Sequence, residues 1–350
     1  MSSSETGNYE YVSARVRSRR AYLYGDEEYR KFVRMGPGEI SRYMEETTYA
    51  REVNEFGARY KGVDLIEYAL NHNLASQFED LLRWSEGELY EHISRYLKKF
   101  DSWNVKTILR GIYAKEDVER IRDDLIPAGE FKSDFLEQLI GTNDIEEFVN
   151  LLEGTMFGEA LGKGLREYED TGLLVSLENA IDRCYYQQLL KKIEVVEDPS
   201  VVLYTDFLRA EIDFKNVMNA LRIAHSGSEI PIAEYYIHGG KQFTSAKLAS
   251  SMKNLDEMIN MIRESKYGEQ LSRAIEKLED TDSLISFEHE LEAVLLEYCD
   301  RLSHVYPLSI CPVIAFVLSK EKEIENVRAI ARGKEAGLSP EEIEKQLVIS

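Results

Sequence analysis

Three stretches of this chain repeat one another at long, regular intervals, and that repetition restricts the folds open to it more than any other feature. Glu169-Asp-Thr-Gly-Leu-Leu-Val-Ser-Leu-Glu178 recurs as Glu279-Asp-Thr-Asp-Ser-Leu-Ile-Ser-Phe-Glu288, with six of ten positions identical at an offset of 110. In the same register Phe157-Gly158-Glu159 matches Tyr267-Gly268-Glu269, and Phe148, Val149 and Leu152 match Met258, Ile259 and Ile262. A more diverged copy lies near the N-terminus, where Glu39, Ile40, Tyr43, Met44 and Tyr49 correspond to Glu147, Phe148, Leu151, Leu152 and Phe157. Solenoid repeats have periods of ~20 to 50 residues. These longer repeats are therefore whole subdomains.

Each copy closes with one pattern, acid-x-x-Asn-Val-x-x-apolar-x-Arg. Its members are Asp101, Asn104 and Arg110, then Asp213, Asn216 and Arg222, then Glu323, Asn326 and Arg332. Ile126-Pro127 and Ile230-Pro231 mark boundaries, which gives three modules at residues 1–125, 126–230 and 231–350. At ~100° per residue, the acid, the Asn and the apolar residues that follow share a helical face, and the Arg points away from it. The repeated Asn and acid within an apolar stripe are expected to satisfy buried backbone groups or each other, because an active site seldom occurs three times in one chain.

The modules are expected to be all-α. Prolines number only seven, and the apolar residues between them fall at three- and four-residue spacing. Ile145, Phe148, Val149 and Leu152 share one face, opposite Glu146, Glu147 and Asn150. Ser339-Pro340-Glu341-Glu342, just after Gly337, reads as an N-cap, a first-turn proline and a capping-box glutamate.

The charge narrows the choice of partners. A net charge of −21 on a chain of 350 residues repels nucleic acid and anionic lipid, so neither is expected as a partner. The excess fits a salty cytoplasm or an acidic surface that meets a basic partner. The longest fully apolar run, Val313 to Leu318, is far short of the ~20 residues that span a bilayer. The N-terminus lacks the basic-then-apolar pattern of a secretory signal, so the expected place is the cytoplasm. Cys184, Cys299 and Cys311 form no Cys-x-x-Cys and read as reduced thiols, with the first two in the core.

Catalytic signatures are missing. Gly158-Glu-Ala-Leu-Gly-Lys163-Gly has three residues between its glycines where a Walker A loop has four, and Gly after the lysine where that loop has Ser or Thr. No nucleotide is expected to bind directly. The six histidines show no metal-binding helix spacing, so no metal or other cofactor is expected. Glu178 with Asp182, and Glu288 with Glu292, place carboxylates one turn apart, as general acid-base chemistry could use. Their repeated context reads instead as a solvated or partner-facing acidic stripe. Arg15, Arg17, Arg19 and Arg20 form a basic run read as paired with neighbouring acids.

The opening Tyr9-Glu-Tyr-Val-Ser-Ala-Arg15-Val-Arg17, the three-module plan and the ending from Pro312 through Lys320-Glu-Lys-Glu323-Ile-Glu-Asn326-Val-Arg-Ala-Ile-Ala-Arg332 resemble the C subunit of archaeal A-type ATP synthases, a distant relative of the vacuolar ATPase d subunit. The acidity is similar to that of members from salt-loving archaea. The resemblance implies a helical funnel of pseudo-threefold symmetry between a central shaft and a membrane rotor ring. It also implies a non-catalytic role in coupling the two during proton- or Na⁺-driven ATP synthesis, peripherally at the cytoplasmic face of the membrane. A helical scaffold or adaptor, and more remotely a carboxylate-based hydrolase, are the alternatives that the residues alone leave open.

Overall fold

The structure, a computed structural model, describes residues 7–191, 199–227, 230–281 and 284–348, and among these it holds twenty helices and no strand. The all-α expectation is met. Two compact units form, Met1–Thr142 with Asp300–Ser350, and Asn143–Cys299.

In the first unit the late helix Cys311–Glu335 packs against two early ones, Tyr9–Arg20 and Val63–Trp84. Val12, Val16, Ile66, Leu70, Phe316 and Val327 are buried on these helices, each worth ~1.5–3 kcal/mol for a side chain of this size. The chain's last long helix is thereby built into the same core as its first helices. In the second unit, Phe214, Met218 and Leu221 of helix Pro199–Ser226 share a core with Phe243, Met258, Ile262, Tyr267 and Phe287.

The repeated short helices are built alike. Ile145–Leu151 starts at Asp144, whose carboxylate accepts the Glu147 N–H at 2.9 Å, while Glu147 accepts the Asn143 N–H at 2.8 Å. Ile145, Phe148, Val149 and Leu152 are buried, and Glu146, Glu147 and Asn150 are exposed. Leu255–Arg263 buries Met258, Ile259 and Ile262 at the matching positions, and Pro37–Met44 buries Ile40 and Met44. Tyr49, Phe157 and Tyr267 follow, all buried. The glycine after the last two is a packing requirement: a Cβ at Gly158 would lie 2.6 Å from Glu153 Cα, and one at Gly268 2.8 Å from the Arg263 carbonyl carbon. The segment that looks like a phosphate loop lies in helix Gly158–Thr171, where Lys163 pairs with Glu159 at 2.6 Å.

Each repeat then ends in a closing helix, Lys99–Ala114, Pro199–Ser226 or Cys311–Glu335. Shortly after each comes a residue of left-handed conformation, Lys115 (φ 55°), Gly227 (φ 64°) and Gly337 (φ 73°), at offsets that match the repeat. That conformation turns the chain back and ends a helix. Short helices Val118–Asp123, Ile232–Tyr235 and Pro340–Glu344 follow. The last begins at Ser339, whose hydroxyl accepts the Glu342 N–H at 3.3 Å while Glu342 accepts the Ser339 N–H at 2.8 Å. This is the capping box read from the sequence.

Candidate functional site

The repeated asparagines hold the chain as it returns from each closing helix. Asn104 donates to the Ile126 carbonyl at 2.7 Å and accepts the Ile126 N–H at 2.8 Å. Asn216 does the same with Ile237, at 2.8 Å both ways, and Asn326 with Val348, at 3.0 Å both ways. The three are equally buried, at 0%, 0% and 2% exposure. A carboxamide offers both donor and acceptor in one plane. It can therefore satisfy both polar groups of one buried residue, as a β-ladder neighbour would.

The repeated acids bind the opening of another module. Asp101 accepts the Glu130 and Phe131 N–H groups, each at 2.9 Å. Asp213 accepts from Lys241 and Gln242 at 3.1 Å, from Phe243 at 3.4 Å, and from the Tyr267 phenol at 2.9 Å. Glu323 takes the Tyr24 N–H at 2.6 Å and the Tyr49 phenol at 2.5 Å. Phe131, Phe243 and Tyr24 are equivalent positions facing the acid, so the third module's acid serves the first module. A Cβ at Gly129 or Gly240 would collide with the Asp101 or Asp213 carboxylate. Gly129 lies two residues before Phe131 and Gly240 three before Phe243, and the first module has Tyr22 and Ala21 at those distances before Tyr24; the extra methylene of Glu323 lets that carboxylate reach from further away.

The acids differ in what shares their burial. The repeat position that supplies a phenol in Tyr49 and Tyr267 is Phe157 in the second module, which has none. Burial pushes the Asp101 carboxyl up to about 6, although the Phe131 and Glu130 N–H groups pull the other way. Beside Glu323 lies Lys320, and both are 1% exposed. Its ammonium is 2.6 Å from Glu323 Oε1 and 2.8 Å from the Tyr49 oxygen, and 4.2 Å from the Tyr49 ring centroid. Burial lowers the Lys320 pKa, opposed by the Glu323 charge, and burial followed by that same charge lifts the Tyr49 phenol well above its ordinary value.

Two of the repeated arginines reach outward to acids. Arg222 pairs with Glu288 at 2.7 Å, and Arg332 pairs with Glu67 at 2.6 Å and Asp124 at 3.2 Å. Glu67, Glu178 and Glu288 occupy one repeat position. Arg110 is exposed, and Glu178, Asp182 and Glu292 are half-buried. The structure thus joins a motif arginine, Arg222, to one of the stripe acids, Glu288. In the sequence these two are separate features, and Glu67, Tyr49, Tyr267 and Lys320 do not stand out as members of the site. In the basic run Arg19 pairs with Asp80 at 3.0 Å, Arg20 pairs with Asp300, and Arg17 donates to the Ser303 carbonyl at 3.1 Å. Arg15 lies 4.7 Å from the ring centroids of both Tyr11 and Trp84.

Among the described residues, no helix is long and apolar enough to cross a membrane, and no group of three or more His, Cys, Asp or Glu could hold a metal ion. The repeated acids and asparagines are directed inward, at backbone groups and neighbouring repeats.

Comparison with known proteins agrees with this structural reading. The ATP synthase (C/AC39) subunit family matches residues 12–346. The C subunit of the A-type ATP synthase of Haloferax volcanii is 54% identical over 349 residues, covering 100% of both chains. Its counterpart in Halobacterium salinarum is 50% identical over 351 residues, again with 100% of both covered. That of Methanosarcina mazei is 36% identical over 346 residues, covering 98% of this chain and 94% of its own. On a match that spans nearly every residue, this chain belongs to the ATP synthase (C/AC39) subunit family.

Proposed function

We propose that this chain is the non-catalytic central-rotor component of an A-type ATP synthase, which couples the central shaft of the ATP-synthesising head to the membrane rotor ring. The relatives that match it end to end are C subunits of such synthases. The observation that carries the mechanical reading is the acid series, in which Asp101 and Asp213 each hold the opening of the next module and Glu323 holds that of the first. Contacts of this kind tie the opening of each module to a closing helix, as a part that transmits torque requires. The same contacts commit the motif to holding the fold, leaving it no role in bond chemistry.

A coupling part of this kind sits peripherally, at the cytoplasmic face of the membrane, with the shaft on one side and the ring on the other. Gentle solubilisation of native membranes tests the assignment: the chain should copurify with both shaft and ring subunits. Recovery with neither would return it to the class of free-standing scaffolds.

A further inference from the structure

We infer that Arg15, framed by the rings of Tyr11 and Trp84, is a docking point for an acidic side chain set among apolar residues on another protein. The sequence predicts that the basic run from Arg15 to Arg20 pairs with acids of this chain, and at Arg15 it does not. Arg19 and Arg20 take Asp80 and Asp300, and Arg17 donates to the Ser303 carbonyl. Arg15 is exposed and, among the described residues, makes no ion pair or hydrogen bond. Asp80, one turn before Trp84, is already shared by Arg19 and Arg83. Residues 11–25 supply four arginines and no acid.

The frame is in place before a partner arrives. Tyr11 stands one turn before Arg15 on helix Tyr9–Arg20, beside the buried Val12 and Val16. Trp84 ends helix Val63–Trp84, where the Asn8 carboxamide donates to the Trp84 carbonyl at 2.7 Å and accepts the Glu86 N–H at 3.1 Å. The Arg15 guanidinium carbon lies 4.7 Å from both ring centroids, and that of Arg19 lies 5.1 Å from the Trp84 centroid. A ring over a guanidinium displaces water from its face and leaves the N–H groups in its plane to bond outward. Tyr11 is 49% exposed and Trp84 is half-buried, so both rings offer apolar area beside those donors. Such preorganisation lowers the ordering cost of docking.

Chemistry selects the occupant. The N–H fork of a guanidinium matches a carboxylate, which it holds through two parallel hydrogen bonds. Arginine, tryptophan and tyrosine are also enriched among the residues that carry most of the binding energy at protein interfaces. An anionic bilayer is held by several cations together, and it would face a chain of net charge −21. Nucleic acid is repelled in the same way, and a second copy of this chain would bring the same excess of acid. A free anion would meet one exposed guanidinium in water, where a single ion pair is weak. A carboxylate among apolar residues on a different protein uses the fork and the rings at once.

The test places a photoreactive benzophenone side chain at position 11 of the full-length chain, in cells that carry it as their sole copy, and maps the residues it labels. The same probe at Ala14, also exposed, removes dependence on the Tyr11 ring. Labelling should concentrate on one protein segment that carries Asp or Glu among apolar residues. Arg15→Glu should cut that labelling about tenfold, and Arg15→Lys, which keeps the charge but loses the planar fork, by a smaller factor. Changing the mapped acid to Arg should restore labelling in Arg15→Glu, because the exchanged charges still pair. Exposed substitutions of this kind change stability little, and thermal unfolding of the purified variants should match that of wild type. Labelling of lipid alone or of no protein would overturn the inference. So would a labelled segment without an acid, undiminished labelling in Arg15→Glu, or exchanged charges that fail to restore it.

Discussion

The phenol of Tyr49 donates to Oε1 of Glu323 at 2.5 Å, across 274 residues of sequence. It joins the first module to the helix that closes the third. Openings of the second and third modules follow directly in the chain from the helices that hold them, whereas the opening of the first is joined to the third only by folding. That non-covalent junction carries the buried Lys320, whose repeat position in the second module is Ala210.

Lys320→Met should therefore cost ~3–5 kcal/mol, the usual penalty for leaving a buried charge without its partner. Lys320→Met/Glu323→Gln should lose less than the sum of the two single changes, because the removed groups are in contact. Chemical denaturation of the four proteins at fixed salt measures this cycle. Additive losses would mean that the two charges do not act as a pair.

Replacing any one of Asn104, Asn216 or Asn326 by Leu strands a buried N–H and a buried carbonyl together. Each group left unsatisfied costs ~1–3 kcal/mol, so each variant should lose several kcal/mol. Because Ile126 and Ile237 are buried and Val348 is only half-buried, the loss should be alike for Asn104→Leu and Asn216→Leu and smaller for Asn326→Leu. Hydrogen exchange at Ile126, Ile237 and Val348 should quicken in the matching variant.

Lys115 is the sole non-glycine residue with positive φ among those described, and it stands where the other modules have Gly227 and Gly337. A left-handed non-glycine residue costs ~1–2 kcal/mol, offset in part by the extra freedom that glycine has in the unfolded chain. Lys115→Gly should raise stability by ~0.5–1 kcal/mol, the balance of those two effects. Gly227→Lys and Gly337→Lys should each lower it. Thermal melts of the three variants check both signs.

Asp101 sets a pH dependence of unusual sign. Its folded carboxyl, at about 6, lies above its ordinary value of 3.8, so between those limits the native state keeps a proton that the unfolded state has lost. The contribution of Asp101 to stability is present below the lower limit and declines as pH rises through the upper one. The stability of wild type minus that of Asp101→Asn should consequently be larger at pH 4 than at pH 7. A difference that is flat with pH, or that grows with it, would show that Asp101 ionises normally in the folded protein.

Much of this is legible in the sequence because it is local or repeated. The amphipathic stripe around Phe148, the cap at Ser339 and the asparagine within an apolar face each depend on neighbours a few residues away. Whether the asparagine bonds to a backbone group or to the motif acid is not legible, since its partner lies 21 or 22 residues on. The long-range contacts are not legible. Nothing local marks Lys320 as buried until helix Cys311–Glu335 is packed against the first module, and Glu288 reads as part of a solvated or partner-facing stripe until Arg222 is brought beside it. One further signal is present: Glu67 repeats at the spacing of Glu178 and Glu288, and a third acid at the arginine-facing position points to pairing within the chain.

The coupling role is tested most directly by depleting this protein from the assembled synthase and measuring ATP hydrolysis and ion transport in the same vesicles. ATP hydrolysis by the head should continue while ion pumping driven by it ceases, and adding back the purified chain should restore pumping. Pumping that stays coupled to hydrolysis in its absence would contradict the account.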